Sequence, residues 1–210
     1  MTNSPVDLTP PAGAAPADEP LPAVGPPKWV VPWLLTVGGA IGFVAAFVLA
    51  VERYKLLIDP SYTPSCSINK VLSCGSVMSQ PQAALFGFPN PYLGIAGFAI
   101  VSTLGVVLLT GAKLPRWVWL GLQVGVTLAA IFLHWLMYQS IYSIGALCPY
   151  CMVVWAVTIP MFWYVTLYNL TPAPAFLRST MEVLSRYHVV VIAAWALFVT
   201  GIILTRFWLD

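Results

Sequence analysis

Cys148-Pro149-Tyr150-Cys151-Met152-Val153-Val154-Trp155, running on through Thr158 and Pro160 to Leu170, is a Cys-x-x-Cys pair opening an apolar stretch that holds no charged residue. About 20 apolar residues in a helix cross a hydrocarbon core roughly 30 Å thick, so this stretch reads as a membrane span. Pro160 predicts a kink within it, which membrane helices tolerate. Outward from this span lie four more apolar stretches of spanning length: Val31–Val51, Tyr92–Thr110, Trp117–Tyr138 and His188–Trp208. Trp29, Trp33, Trp117, Trp119 and Trp208 fall near their ends, where amphipathic rings anchor helices at the interface.

The whole chain fits this reading. Of 210 residues, 60% are apolar and 8% charged, and the formal charge is +2. Soluble domains carry about a quarter charged residues. So small and scattered a charge excludes a nucleic-acid partner and leaves membrane lipid as the surroundings. Residues 1–27 hold eight prolines and no hydrophobic period, and are expected to form a disordered cytoplasmic tail. They lack the basic start and apolar core of a signal peptide, so the first span is expected to act as an uncleaved anchor. Residues 28–170 are expected to form a four-helix bundle, and residues 171–210 a linker and a fifth membrane helix. No second folded domain is expected in the remaining length. The expected class is an all-α integral membrane protein.

The long connection is the segment 54–91, interrupted by Pro60, Pro64, Pro81, Pro89 and Pro91. Connections of this length without regular structure are usually functional. With the amino terminus inside, five basic residues fall inside and four outside, a weak vote. The short loops favour the same orientation: 111–116 holds Lys113 and Arg116, and 139–147 holds no basic residue.

Four cysteines stand in two pairs. Cys66 and Cys74 lie in the long connection with seven residues between them, and Cys148 and Cys151 open the fourth span. Five spans put both pairs on one side, the extracytoplasmic face, where disulfides persist. A Cys-x-x-Cys at a helix start leaves its first sulfur near unpaired amides and the positive end of the helix dipole, which favours the thiolate. The thiolate is the attacking species in disulfide exchange. Pro149 suits the first helical position, where no amide donor is needed. A loop pair is then free to shuttle between a protein substrate and the pair at the membrane. Structural zinc is disfavoured, because zinc sites use two closely spaced pairs. Static disulfides and inert buried thiols are the other bland readings.

These residues resemble the vitamin K epoxide reductase family and its bacterial homologues. The likeness rests on the loop pair, on Cys74-Gly75-Ser76-Val77-Met78-Ser79-Gln80-Pro81 followed by Leu85-Phe86-Gly87-Phe88-Pro89, and on Cys148-x-x-Cys151 opening span four. It covers residues 31–170. The resemblance implies a four-helix bundle around a quinone, capped by a short helix after Cys74. It implies electron flow from a partner dithiol to Cys66/Cys74, then Cys148/Cys151, then a quinone of the menaquinone, ubiquinone or vitamin K type. Cys66 would be the entry point, Cys74 would exchange with Cys148, and Cys151 would lie beside the ring. The helix-dipole argument alone favours Cys148 as the more reactive thiolate. Asn90, Trp155 and Ser79 are the cofactor-side residues it implies, with Asn90 as an amide donor to a ring oxygen; a turn between Pro89 and Pro91 is Asn90's alternative role. Two departures stand out: Gln80 where the family has a second serine, and Trp155 where a tyrosine is common.

His134, at membrane depth, is a functional candidate by default and equally a satisfied interhelical histidine. Glu52, Arg53 and Lys55 read as interface anchors, and Met137, Met152 and Met161 as packing. Bacterial relatives often carry a fused thioredoxin-like domain after such a fifth helix. Since this chain ends at Asp210, the expected donor is a separate extracytoplasmic thioredoxin-fold protein of the DsbA kind. The expected function is a thiol:quinone oxidoreductase of the plasma or inner membrane, supporting disulfide formation in exported proteins. The alternatives are vitamin K epoxide or quinone reduction proper, a DsbB-type enzyme, and a membrane scaffold with structural disulfides. A DsbB-type enzyme places its Cys-x-x-Cys after span one. A transporter would show repeats or broken helices around a midplane charge, which this chain does not.

Overall fold

The computed structural model describes residues 29–170, 180 and 183–209, leaving the expected tail and most of the linker outside the described residues. Among the described residues, five helices are long and apolar enough to cross a membrane: α1 (Val30–Ile58), α3 (Pro91–Leu109), α4 (Arg116–Ile144), α5 (Pro149–Leu170) and α6 (His188–Trp208). A short helix, α2 (Cys74–Met78), and a 3-10 turn (Pro81–Ala84) lie in the long connection. The all-α membrane architecture expected from the sequence is present, with a short helix beginning at Cys74 itself.

Two spans outrun their expected ends. α1 continues seven residues past Val51, through Glu52, Arg53 and Lys55, to Ile58. Hydropathy ends the span where the charges begin, but Glu52 is buried and paired, so the helix has no reason to stop there. α4 passes Tyr138 in a wider π-helical turn, Gln139–Ile144, and ends at Gly145 with a φ of 69°. Glycine is the residue that takes this left-handed conformation at little cost.

The bundle is held by close backbone approach on one side and by polar pairs on the other. α1 packs on α3 through small residues. A methyl group on Gly42 would run into the Phe98 ring, and one on Gly105 would lie 2.8 Å from the Leu35 carbonyl carbon. The Ser102 hydroxyl donates across this seam to the Thr36 carbonyl at 3.0 Å. Without a hydrophobic drive between helices in lipid, such small-residue contact and interhelical hydrogen bonds supply the association. The core behind the seam is Val31, Leu35, Ala46, Phe98, Trp119, Leu122, Val126, Met161 and Val165.

At the end of α5 far from the cysteines, a polar ladder joins α4 to α5. Arg116 donates to the Asn169 side-chain oxygen at 3.0 Å. The Asn169 amide donates to the Trp119 carbonyl and to Gln123, each at 3.2 Å, and Gln123 donates to Thr166 at 2.9 Å. α6 docks through Trp195, whose indole N–H donates to His134 Nε2 at 3.1 Å. His134 Nδ1 lies 2.7 Å from the Ala130 carbonyl, so the neutral tautomer with hydrogen on Nδ1 satisfies both contacts. His134 is therefore an interhelical histidine.

Two substitutions test this packing. Gly105→Ala should destabilise the protein by about 1–3 kcal/mol through overpacking, whereas Gly121→Ala, with nothing within 4 Å of its added methyl, should be near neutral. Thermal unfolding in detergent micelles checks both. Trp195→Phe should cost on the order of 0.6 kcal/mol, the usual worth of an interhelical hydrogen bond in a membrane.

Candidate functional site

The site is assembled from the two chain segments that carry the cysteines. Leu147 pairs with Leu72 in a parallel bridge: the Leu147 amide donates to the Val71 carbonyl at 2.7 Å, and the Ser73 amide to the Leu147 carbonyl at 2.9 Å. Ser73 then caps α2, its hydroxyl accepting from the Ser76 amide at 3.3 Å. Serine is favoured there because its side chain satisfies a donor the helix leaves open. Cys74 becomes the first residue of α2, and Cys148 the residue before α5. The two sulfurs follow directly from paired backbone and meet.

Cys74 is joined to Cys66 in a disulfide, and the Cys148 sulfur lies 3.2 Å from that of Cys74. The sulfurs of Cys66, Cys74 and Cys148 all fall within 4.8 Å of one another. With two of the three joined, this is a thiol set against a disulfide. Cys148 and Cys151 are free thiols, and the Cys151 amide points at the Cys148 sulfur from 3.5 Å. That is the helix-start amide expected from the sequence, with Pro149 at the first helical position. Leu49 and Met78 cover the sulfurs, and Cys66, Cys74 and Cys148 are all buried.

Cys151 faces two ways. It borders the sulfur cluster on one side, and on the other an apolar cluster of Met137, Ile141, Leu147, Trp155 and Ile203. α6 supplies Ile203 and, around it, Val199 and Phe207, so the fifth helix lies against the Cys151 side of the bundle. Thr158 is buried, and its hydroxyl has no partner among the described residues. Seven residues after Cys151, it returns to the same helix face as Cys151 and Trp155. Sequence reading misses Thr158, because one threonine in an apolar span carries no pattern.

The other expected residues are placed differently. The Asn90 amide donates to the Gln82 carbonyl at 2.7 Å, and its oxygen accepts from the Leu85 amide at 3.2 Å. It closes the turn before α3, as its alternative reading anticipates, and its second N–H has no partner among the described residues. The Ser79 hydroxyl donates to the Gly75 carbonyl at 2.7 Å within α2. The four cysteines and Trp155 are thus brought together, and Asn90 and Ser79 make local bonds in the connection.

The family model of the vitamin K epoxide reductase family matches residues 33–166. The chain belongs to this family. No curated protein matches it individually. Membership makes it an integral membrane oxidoreductase of a quinone-linked kind, and the Cys66–Cys74 disulfide beside the further cysteines fits that redox role.

Gly145 tests how the site is held. Gly145→Ala places a side chain at a φ of 69°, which should cost about 1–2 kcal/mol. The strain sits two residues before the Leu72–Leu147 bridge. Amide hydrogen exchange at Ser73 and Leu147 should quicken before exchange in the α1–α3 seam does.

Proposed function

We propose that this chain is a thiol:quinone oxidoreductase that draws electron pairs from an extracytoplasmic thioredoxin-fold protein of the DsbA kind and delivers them to a membrane quinone. The reading rests above all on the 3.2 Å approach of the Cys148 sulfur to Cys74 of the Cys66–Cys74 disulfide. Orientation follows from the short loops: Lys113 and Arg116 mark the cytoplasmic side, which puts all four cysteines outside. The membrane is then the plasma or inner membrane of a cell that oxidises its exported proteins.

The chain's own residues account for the relay. A partner dithiol reduces the loop disulfide by attack at Cys66, leaving Cys66 and Cys74 as thiols and the partner as a disulfide. With Cys148 and Cys151 joined, the Cys74 thiolate attacks the Cys148 sulfur and releases Cys151 as thiolate. Cys66 then attacks Cys74 and releases Cys148. The products are a Cys66–Cys74 disulfide and a Cys148/Cys151 dithiol, the arrangement in this structure. Helix-start amides at α5 favour the thiolate form of Cys148 as it leaves. Trp155 offers a ring face one turn along α5 from Cys151 and Thr158 a hydroxyl about one turn further on, and Asn90 and Ser79 complete the proposed cofactor-side set. A bound quinone supplies a two-electron, two-proton acceptor for the Cys148/Cys151 dithiol.

Quinone reduction by the purified protein tests the order. The wild type should reduce a quinone with a reduced thioredoxin-fold donor. Cys151→Ala should be inactive with any donor, and Cys66→Ala active only with a small dithiol such as dithiothreitol. Equal behaviour of all variants would leave the cysteines as structural staples.

A further inference from the structure

Glu52 is a carboxylate in a spanning helix, 5% exposed, and the relay gives it no part. It stands on one face of α1 with Ala45, Leu49 and Leu56, at the spacing that lines one side of a helix. Leu49 and Leu56 pack against the sulfur cluster. Its partners all come from the descending stretch of the long connection or from its own helix. Oε2 accepts from the Tyr62 hydroxyl and from the Ser65 amide, each at 3.1 Å. Oε1 accepts from the Ser65 hydroxyl at 3.2 Å and lies 3.7 Å from the Lys55 ammonium. Lys55 also stands 5.4 Å above the Tyr62 ring centre. An interface anchor would turn its charge to water. Glu52 instead spends both oxygens on the residues just before Cys66.

We propose that Glu52 is a positioning residue for the relay, tying Tyr62–Ser65 to α1 and so holding the Cys66–Cys74 pair docked on Cys148. The inference rests on the relay reading above. Two tethers then bracket the loop pair. The Leu72–Leu147 bridge fixes the Cys74 side, and the Glu52 carboxylate fixes the Cys66 side through Ser65, its neighbour in the chain. Bonds to an ionised acceptor are about twice as strong as neutral ones. Side chain and backbone of Ser65 are held together, so Cys66 has little freedom to swing away while Glu52 is engaged. Release of this tether frees the Cys66 end to meet a partner and loosens the seat of the whole loop pair, Cys74 included, on Cys148.

The test uses full-length protein with Cys66→Ala and Cys151→Ala, where Cys74 and Cys148 are left to form one disulfide. Its formation constant is measured against a glutathione redox buffer by alkylation and mass spectrometry. Adding Glu52→Ala should lower the constant at least tenfold. Glu52→Gln, whose amide oxygen still accepts from Ser65 and Tyr62, should fall between. As control, Cys148–Cys151 bond formation in a Cys66→Ala, Cys74→Ala protein should not respond to Glu52→Ala. An unchanged Cys74–Cys148 constant, or an equal fall in both constants, overturns the positioning role while the relay stands. If Cys74 and Cys148 form no bond even with Glu52 present, the relay itself fails and the positioning role with it. Should Glu52→Ala not accumulate, Tyr62→Phe with Ser65→Ala removes the side-chain partners from the other side and should lower the constant in the same way.

Discussion

Everything at the redox end hangs from the pairing of Leu72 with Leu147. It is a very short piece of parallel pairing, with amide bonds of 2.7 and 2.9 Å on either side of Leu147. Because the pairing is parallel, both segments run the same way out of it. Each reaches a cysteine within two residues and then a helix start. Two sulfurs from distant parts of the chain therefore arrive at one place with the same backbone polarity behind them. In the low dielectric near the membrane such bonds are stronger than in water, and breaking them would leave buried amides unpaired. The π-helical turn of α4 and the left-handed Gly145 deliver Leu147 to this pairing.

The two ends of the bundle are built on different principles. Far from the cysteines, the side chains of Arg116, Asn169, Gln123 and Thr166 lock α4 to α5 by bonding one another and the Trp119 carbonyl, without a long connection between the helices. At the cysteine end, side chains such as Glu52 and Ser73 grip backbone and hydroxyls of a loop. One end keeps the helices in register, and the other keeps a loop in place. The α1–α3 glycine seam serves the first purpose, since it fixes the helix that carries Glu52 and Leu49 beneath the loop.

Much of this is legible in the order of the residues alone. Apolar runs of membrane length mark five spans, because hydrocarbon thickness imposes a length that composition reveals. The cysteine pairs mark the site, and Pro149 marks the start of α5. The end of α1 is hidden, since hydropathy treats Glu52 as a terminator while its hydrogen bonds make it an interior residue. Its partners, Tyr62 and Ser65, sit in a proline-broken stretch with no period to announce them. His134 stands between two readings until Trp195 of the fifth helix supplies its partner. Asn90 holds two readings as well, and its bonds to Gln82 and Leu85 belong to the turn. Thr158 cannot be singled out, because an orphaned hydroxyl is a property of packing rather than of order along the chain.

The sulfurs of Cys66, Cys74 and Cys148 are sealed beneath Leu49 and Met78. Such packing separates the sulfurs from the surrounding fluid as a sheath separates a wire from its surroundings. Small thiols dissolved outside meet the protein's surface far more often than its sulfurs, so the redox state of the pairs follows the surrounding fluid slowly rather than at once. How fast these sulfurs exchange is then set by how often the packing around them opens, so access governs their chemistry alongside potential.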